Sequence, residues 1–176
     1  MTNGSAKSAA SAMSHELDAP PWLRVESTIM ATAQAVREAY DVRMAPIGLT
    51  LSLASLLSYI NEFGPVTQVR AAEHLGQGRA ATGAQIDRLQ ELGFIERRPD
   101  PDDRRVWMVA VTPAGTAKAA AVAEVDAVLR SELRSGISRT ERQHLAAVLV
   151  RLQHNVAAAI RGADTITQDT TQKERP

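Results

Sequence analysis

Apolar positions recur at helical spacing through most of the chain and at strand spacing in only one place. From Thr50 onward, Leu53, Leu56, Leu57 and Ile60 form an i, i+3, i+4, i+7 set, which draws one buried stripe along a helix. Thr50 suits the start of that helix as a cap, and Gly64-Pro65 stops it sharply. Upstream, the pattern predicts a helix over 21–44, opened by prolines that fit a first helical turn. Its apolar face is Leu23, Met30, Ala33, Val36 and Tyr40, and Pro46-Ile47-Gly48 breaks it. Downstream, Thr67 caps a short helix ending at Leu75, and Gly76-Gln77-Gly78 makes a tight turn. A second short helix then runs to Leu92 with Thr82, Ile86 and Leu89 facing inward. Two short helices joined by a glycine turn form a helix-turn-helix.

Between Gly93 and Thr112 the character of the chain changes. Phe94 to Arg97 and Val106 to Val111 are rich in aliphatic, aromatic and β-branched residues, so they read as two strands. Pro99 and Pro101 cannot donate ladder hydrogen bonds and are assigned to the charged tip between them. Next, Thr112-Pro113 caps a helix running to about Ser135, with Ala114, Ala121, Val125, Val128 and Leu129 as its stripe and Gly136 as its end. Ser138-Arg139-Thr140-Glu141 fits a capping box, opening a last helix that carries Leu145, Val148, Leu149, Leu152, Val156 and Ile160.

The fold class that follows is mainly α with a small β-hairpin wing: a winged helix-turn-helix lobe flanked by N- and C-terminal helices. The expected boundaries are a disordered tail over 1–20, a first dimerisation helix over 21–45 and the lobe over 46–112. Long C-terminal helices over 113–162 and a second disordered tail over 163–176 complete the chain. At ~1.5 Å per residue each of the two terminal helices spans roughly 30 Å or more, which is more than the lobe can cover. Their apolar stripes ask for a partner, and a second copy of the chain is the simplest source. Leu23, Leu145, Leu149, Leu152 and Val156 are therefore the expected dimerisation residues of a homodimer.

Composition sharpens this picture and closes several alternatives. The 176 residues make about one domain, with 44% hydrophobic but only 3% aromatic residues, so the core must be built from Ala, Leu, Val and Ile. There is no cysteine, which excludes a disulfide framework, a thiolate metal site and a thiol oxidant sensor. No apolar leader segment and no run of apolar residues long enough for a span is present, so the default expectation is a cytoplasmic protein without a membrane partner. His144 and His154 stand ten apart, ~280° net around a helix, and do not share a face as metal ligands would. Gly76-Gln77-Gly78 has neither a preceding strand nor a third glycine. The chain is accordingly expected to be no enzyme and to need no metal or cofactor.

Charge complicates the nucleic-acid reading. Lysines and arginines number 20 and so do acids, a net charge of zero, and between Arg70 and Arg105 seven arginines face seven acids. A field attractive to DNA arises only if folding separates the signs in space. On the second short helix, rotation by ~100° per residue puts Ala80, Gly83, Ala84, Asp87 and Arg88 outward, with Arg79 near its start. Small residues there allow close approach to base edges or thymine methyls, and the arginines reach phosphate or guanine. In the wing, Asp103 is placed to orient the guanidinium of Arg105, and an oriented arginine suits a narrow minor groove.

From about Leu49 to Gly115 the sequence resembles the MarR family of bacterial transcriptional regulators. The matching words are Ala72-Glu73-His74-Leu75-Gly76, then Ile86-Asp87-Arg88-Leu89-Gln90-Glu91-Leu92-Gly93-Phe94-Ile95-Glu96-Arg97. Arg98-Pro99-Asp100-Pro101-Asp102-Asp103-Arg104-Arg105 and Val111-Thr112-Pro113-Ala114-Gly115 follow. The resemblance implies a triangular homodimer with interlocked terminal helices, docked on the successive major grooves of a palindromic operator. It implies that Arg105 of the Asp103-x-Arg105 element enters the minor groove and that Arg88 lies on the DNA-facing helix; with the residue reading above, the candidate DNA contacts are Arg79, Ala80, Gly83, Ala84 and Arg88 of the recognition helix and Arg97, Arg98, Asp103, Arg104 and Arg105 of the wing. It also implies a repressor released by a small, often aromatic or phenolic, effector. The pocket residues are not assigned, although Trp22, Tyr40, Tyr59 and Trp107 are the scarce aromatics available. Gly78 departs from the family's usual capping Ser or Asp, and Gly83 and Ala84 from larger polar readers. The competing reading is a winged-helix protein-interaction module without sequence-specific DNA binding, which the neutral charge favours and the paired wing arginines oppose.

Overall fold

A computed structural model of the protein describes residues 24–173, with side chains through residue 161. The elements are α1 (Val25–Met44), a 3-10 turn (Ala45–Ile47), α2 (Leu51–Phe63), β1 (Val66–Thr67), α3 (Gln68–Leu75) and α4 (Arg79–Glu91). They continue with β2 (Ile95–Pro99), β3 (Trp107–Val111), α5 (Pro113–Leu133) and α6 (Arg139–Lys173). The chain divides into two compact units, one reaching Leu129 and one beginning at Arg130.

In the first unit, the core is the stripe of α2 closed by α4 and the sheet. Leu56, Leu57 and Ile60 are completely buried with Ile86 and Leu89, and Val66, Ile95 and Val109 seal them from the strand side. Leu53 is packed against this cluster as a partly buried neighbour. The start of α2 has two acceptors for its free amides: Thr50 Oγ1 accepts from Leu53 N at 3.4 Å, and Asp41 Oδ1 accepts from Leu51 N at 2.7 Å. Thr67 Oγ1 likewise caps α3 through Arg70 N at 3.2 Å. At the other end of α3, Gly76 adopts a left-handed φ of 60°, the conformation a helix-ending turn requires and glycine adopts freely.

The sheet is antiparallel in the order β1-β3-β2, with Val66 opposite Val109 and the wing paired from Ile95–Val111 out to Pro99–Trp107. Two features differ from the sequence expectation. Strand β1 goes unseen in the sequence because two residues after a proline show no alternation. Pro99 is the last paired residue of β2 rather than part of the turn. β2 is an edge strand, so a residue without an N–H costs nothing on its outer side. Asp100 N then donates to Val106 O at 2.9 Å, and Pro101 falls in the turn.

Helix α5 keeps part of its expected stripe, with Leu129 buried and Ala121 and Val125 half-buried, but is turned from it at Ala114 and Val128. Its buried residues are Gly115, Ala119, Val122 and Leu129, whereas Ala114 is exposed and Val128 is 55% exposed. The cause lies at Gly115: a Cβ there would sit 1.9 Å from Phe94 O, so the helix passes against the wing's base through a bare backbone. Lys118 lies 5.3 Å over the Phe94 ring and donates to Ile47 O at 3.0 Å. Tyr40 OH donates to Asp126 Oδ1 at 2.8 Å, tying α1 to α5. Along α1, Val36 and Tyr40 are half-buried while Met30 and Ala33 are exposed. The expected start at Pro21, with Trp22 and Leu23, lies outside the described residues.

In the second unit, Gly136 has φ 74° after α5, and α6 opens on the expected capping box. Ser138 N donates to Glu141 Oε2 at 2.8 Å and Glu141 N donates to Ser138 Oγ at 3.2 Å. The Ser138 hydroxyl, at 2.6 Å, and the Ser138 amide hold the Glu141 carboxyl below its ordinary pKa. Helix α6 runs through 163–173, which the sequence assigns to a tail, since no proline intervenes before Pro176. Leu145, Val148, Val156 and Ile160 are exposed on it, and Leu149 and Leu152 are half-buried.

Candidate nucleic-acid interface

Burial of Thr82, Ile86 and Leu89 fixes the rotation of α4, and their opposite face is what the lobe offers outward. Arg79, Ala80, Ala84, Asp87 and Arg88 are all exposed there, as their spacing predicts. Gly83 is different. It is half-buried, and a Cβ on it would lie 2.9 Å from Gln68 Nε2, the same nitrogen that donates to Arg79 O at 3.2 Å. Its smallness therefore serves the approach of the Gln68 side chain, at the start of α3, to α4. Gly78 supplies no side-chain cap to α4.

The wing continues this surface. Arg97, only 31% exposed, donates from Nη1 to Gln90 Oε1 at 2.7 Å and from Nη2 to Asp87 Oδ1 at 2.5 Å. Arg88 pairs with Glu91 at 2.9 Å across one helical turn, with both side chains more than half exposed. At the tip, Asp100 Oδ1 accepts from Asp102 N at 2.8 Å, and Asp103 Oδ1 accepts from Arg105 N at 3.0 Å. This corrects one expectation: Asp103 holds the backbone of Arg105, not its guanidinium. A short carboxylate reaches its own chain two residues on more readily than a neighbouring side-chain end.

These contacts engage part of the acidic charge. Asp87 and Glu91 are ion-paired, and Asp100 and Asp103 accept backbone amides. Arg79, Arg98, Arg104 and Arg105 are exposed with no ion pair among the described residues, and Glu96 and Asp102 are exposed on the wing beside them, so the outer surface is mixed in sign with four arginines available to meet a phosphate. Trp107, opposite Pro99, is 59% exposed on the wing rather than packed in a crevice. Tyr59 is buried and stacks on His74 at 3.9 Å between ring centroids, so its ring is packed in the lobe rather than open to a crevice. A cavity of about 270 Å³ does open between α1 and α5, lined by Arg43, Glu124, Val125 and Val128. Sequence reasoning missed it because the lining side chains come from helices far apart in the chain. It also missed the Arg97 fork, although Asp87 and Gln90 at i, i+3 on the outward face were a usable signal.

Among the described residues no group of three or more His, Asp or Glu side chains is placed to hold a metal ion, and no single helix is long and apolar enough to cross a membrane. Helices α3 and α4 with the β2–β3 hairpin make a winged helix-turn-helix. Residues 47–106, which cover most of this lobe, match the model of the MarR family. Three solved structures are similar over most of the chain. A probable transcriptional regulator from Pseudomonas aeruginosa is 26% identical, with a TM-score of 0.63, covering 73% of this chain and 98% of the other. A cysteine-to-serine mutant of MarR from E. coli, complexed with operator DNA, is 23% identical with a TM-score of 0.69, covering 73% and 93%. CouR from Rhodococcus jostii, bound to p-coumaroyl-CoA, is 24% identical with a TM-score of 0.64, covering 69% and 86%. The chain thus has a transcriptional-regulator fold.

Proposed function

We propose that the protein is a sequence-specific DNA-binding transcriptional regulator that works as a homodimer on a palindromic operator. The observation that carries this reading is the continuous outward surface formed by α4 and the wing, where Asp87 and Glu91 are ion-paired and Arg79, Arg98, Arg104 and Arg105 are presented. Arg79, Ala80, Ala84 and Arg88 meet the major groove, with Gly83 holding α4 to Gln68 behind them. Arg98, Arg104 and Arg105 meet the backbone and minor groove, Asp103 fixing the turn that aims Arg105. The solved MarR complex with operator DNA supports this use of the fold. Leu145, Leu149, Leu152 and Val156 of α6 are assigned to the dimer contact, since four apolar side chains along one helix are incompletely buried in a single copy. Leu23 is assigned to it from the sequence alone.

The regulator acts as a repressor, released when a small aromatic effector enters the cavity between α1 and α5; the CouR complex with an aromatic acyl thioester supports a ligand-responsive reading. A protein-interaction module is the second reading, favoured by zero net charge and by the exposed Trp107. Titrating DNA from upstream of the protein's own gene at several salt concentrations separates the two. Affinity should fall steeply with salt, by about 0.9 in logarithmic slope per phosphate contacted, and Arg105→Ala should weaken specific binding about tenfold. Absence of any complex at low salt on every upstream fragment would sink the regulator reading. Thermal stabilisation by small aromatic acids tests the effector, because a ligand bound only to the folded state raises the melting temperature.

A further inference from the structure

Arg97 reaches the recognition helix at two points, Gln90 Oε1 and Asp87 Oδ1. These acceptors are one helical turn apart on α4, so a planar guanidinium bridging them fixes both the separation and the twist of β2 against that helix. The wing is also held at its base, where Phe94 N donates to Leu89 O at 3.0 Å and Thr112 Oγ1 donates to Gly93 O at 2.7 Å, and β1 pairs with β3 at Val109 and Met108, which leaves β2 as the edge strand. Arg97 stands three residues beyond Phe94, roughly 10 Å at strand rise. β1 steadies β3, whereas β2 has no strand on its outer side, and a hold about 10 Å beyond Phe94 fixes that edge strand against the recognition helix. The fork thus bears on how the strand leading to Arg98, Arg104 and Arg105 lies against α4.

The electrostatics agree. Asp87 is 61% exposed on the face that α4 turns outward, where an unpaired carboxylate would repel phosphate. Its value there lies in holding Arg97. We propose that Arg97 is a positioning residue that sets the wing's angle to the recognition helix through Asp87 and Gln90, and is not a phosphate ligand. Its consequence for DNA rests on the regulator reading, while the clamp itself does not.

The test uses the full chain carrying Trp22→Phe, which leaves Trp107 as the sole tryptophan reporter on the wing. Arg97→Gln, Arg97→Lys, Asp87→Asn and the Arg97→Gln/Asp87→Asn pair are compared by Trp107 anisotropy and by operator binding across salt. With a clamp, anisotropy falls in all four. Specific affinity drops roughly tenfold in each single variant, the pair is no worse than either single, and the salt slope is unchanged. A phosphate ligand gives the opposite pattern: Arg97→Lys keeps affinity, Arg97→Gln loses about 0.9 of slope, and Asp87→Asn binds more tightly because an exposed acid has gone. That pattern, or unchanged anisotropy in the variants, overturns the proposal. If the unsubstituted protein binds no DNA while anisotropy still falls in the variants, the regulator reading fails and the clamp stands.

Discussion

Carboxylates on a surface proposed to meet DNA should weaken binding, yet this surface carries several, and Asp87, Glu91, Asp100 and Asp103 each have a local use. Asp103 is the clearest, because its oxygen accepts the amide of Arg105 and its own carbonyl accepts Val106 N at 2.9 Å. If the backbone bond is what matters, Asp103→Asn keeps an acceptor oxygen in place and removes one negative charge, so operator affinity should hold or improve. Asp103→Ala should lose roughly three- to tenfold, the worth of one such hydrogen bond. Equal losses in both variants, measured by titration at fixed salt, would return Asp103 to the role of guanidinium partner. Gly115 makes a different residue-scale demand. Any Cβ there drives into the Phe94 carbonyl, so Gly115→Ala should destabilise the lobe by about 2–3 kcal/mol in urea unfolding. A change under about 0.5 kcal/mol, the usual effect of an unconstrained surface site, would show that α5 shifts freely.

Elements were legible in the sequence where one residue satisfies another within a turn. Thr50, Thr67 and the Ser138–Glu141 box all act over three residues, and all appear as hydrogen bonds where the letters put them. The inward face of α4 was legible for a similar reason, since Thr82, Ile86 and Leu89 differ sharply from the residues between them. What stayed hidden depends on groups distant in sequence: Asp41 capping α2, Gly115 passing the wing's base, and the cavity between α1 and α5. In alanine-rich α5 the side chains are too alike for size to reveal which face is buried, so close approach decides it. The capping box gives a pH signature. Glu141 has a folded pKa below its unfolded value, so its contribution is present above the unfolded value and is lost as pH falls through the folded one. Helicity at the start of α6, followed by hydrogen exchange of the Glu141 amide, should fray on acidification below the ordinary carboxylate range. In Glu141→Gln that acid dependence should vanish, and its persistence would assign it to another group.

At the scale of the molecule, zero net charge means that neither association with DNA nor repulsion between copies is governed by a bulk field. Binding strength must then come from geometry, and two lobes held together outperform one through effective concentration. Leu145 at 54%, Val156 at 51% and Ile160 at 59% exposure are apolar surface that a single copy leaves in water. Burying a leucine or valine side chain is worth roughly 1.5–3 kcal/mol, so Leu149→Glu with Val156→Glu should raise the dimer dissociation constant by a hundredfold or more. Sedimentation at micromolar concentration should show a dimer for the unsubstituted chain and a monomer for the pair. On a palindromic operator the monomer should lose about 10²–10⁴ in affinity, whereas on an isolated half-site the two proteins should bind alike. Equal losses on both DNAs would mean that the substitutions damage the lobe itself. A monomeric unsubstituted chain would remove the dimer, and with it the expectation of a palindrome.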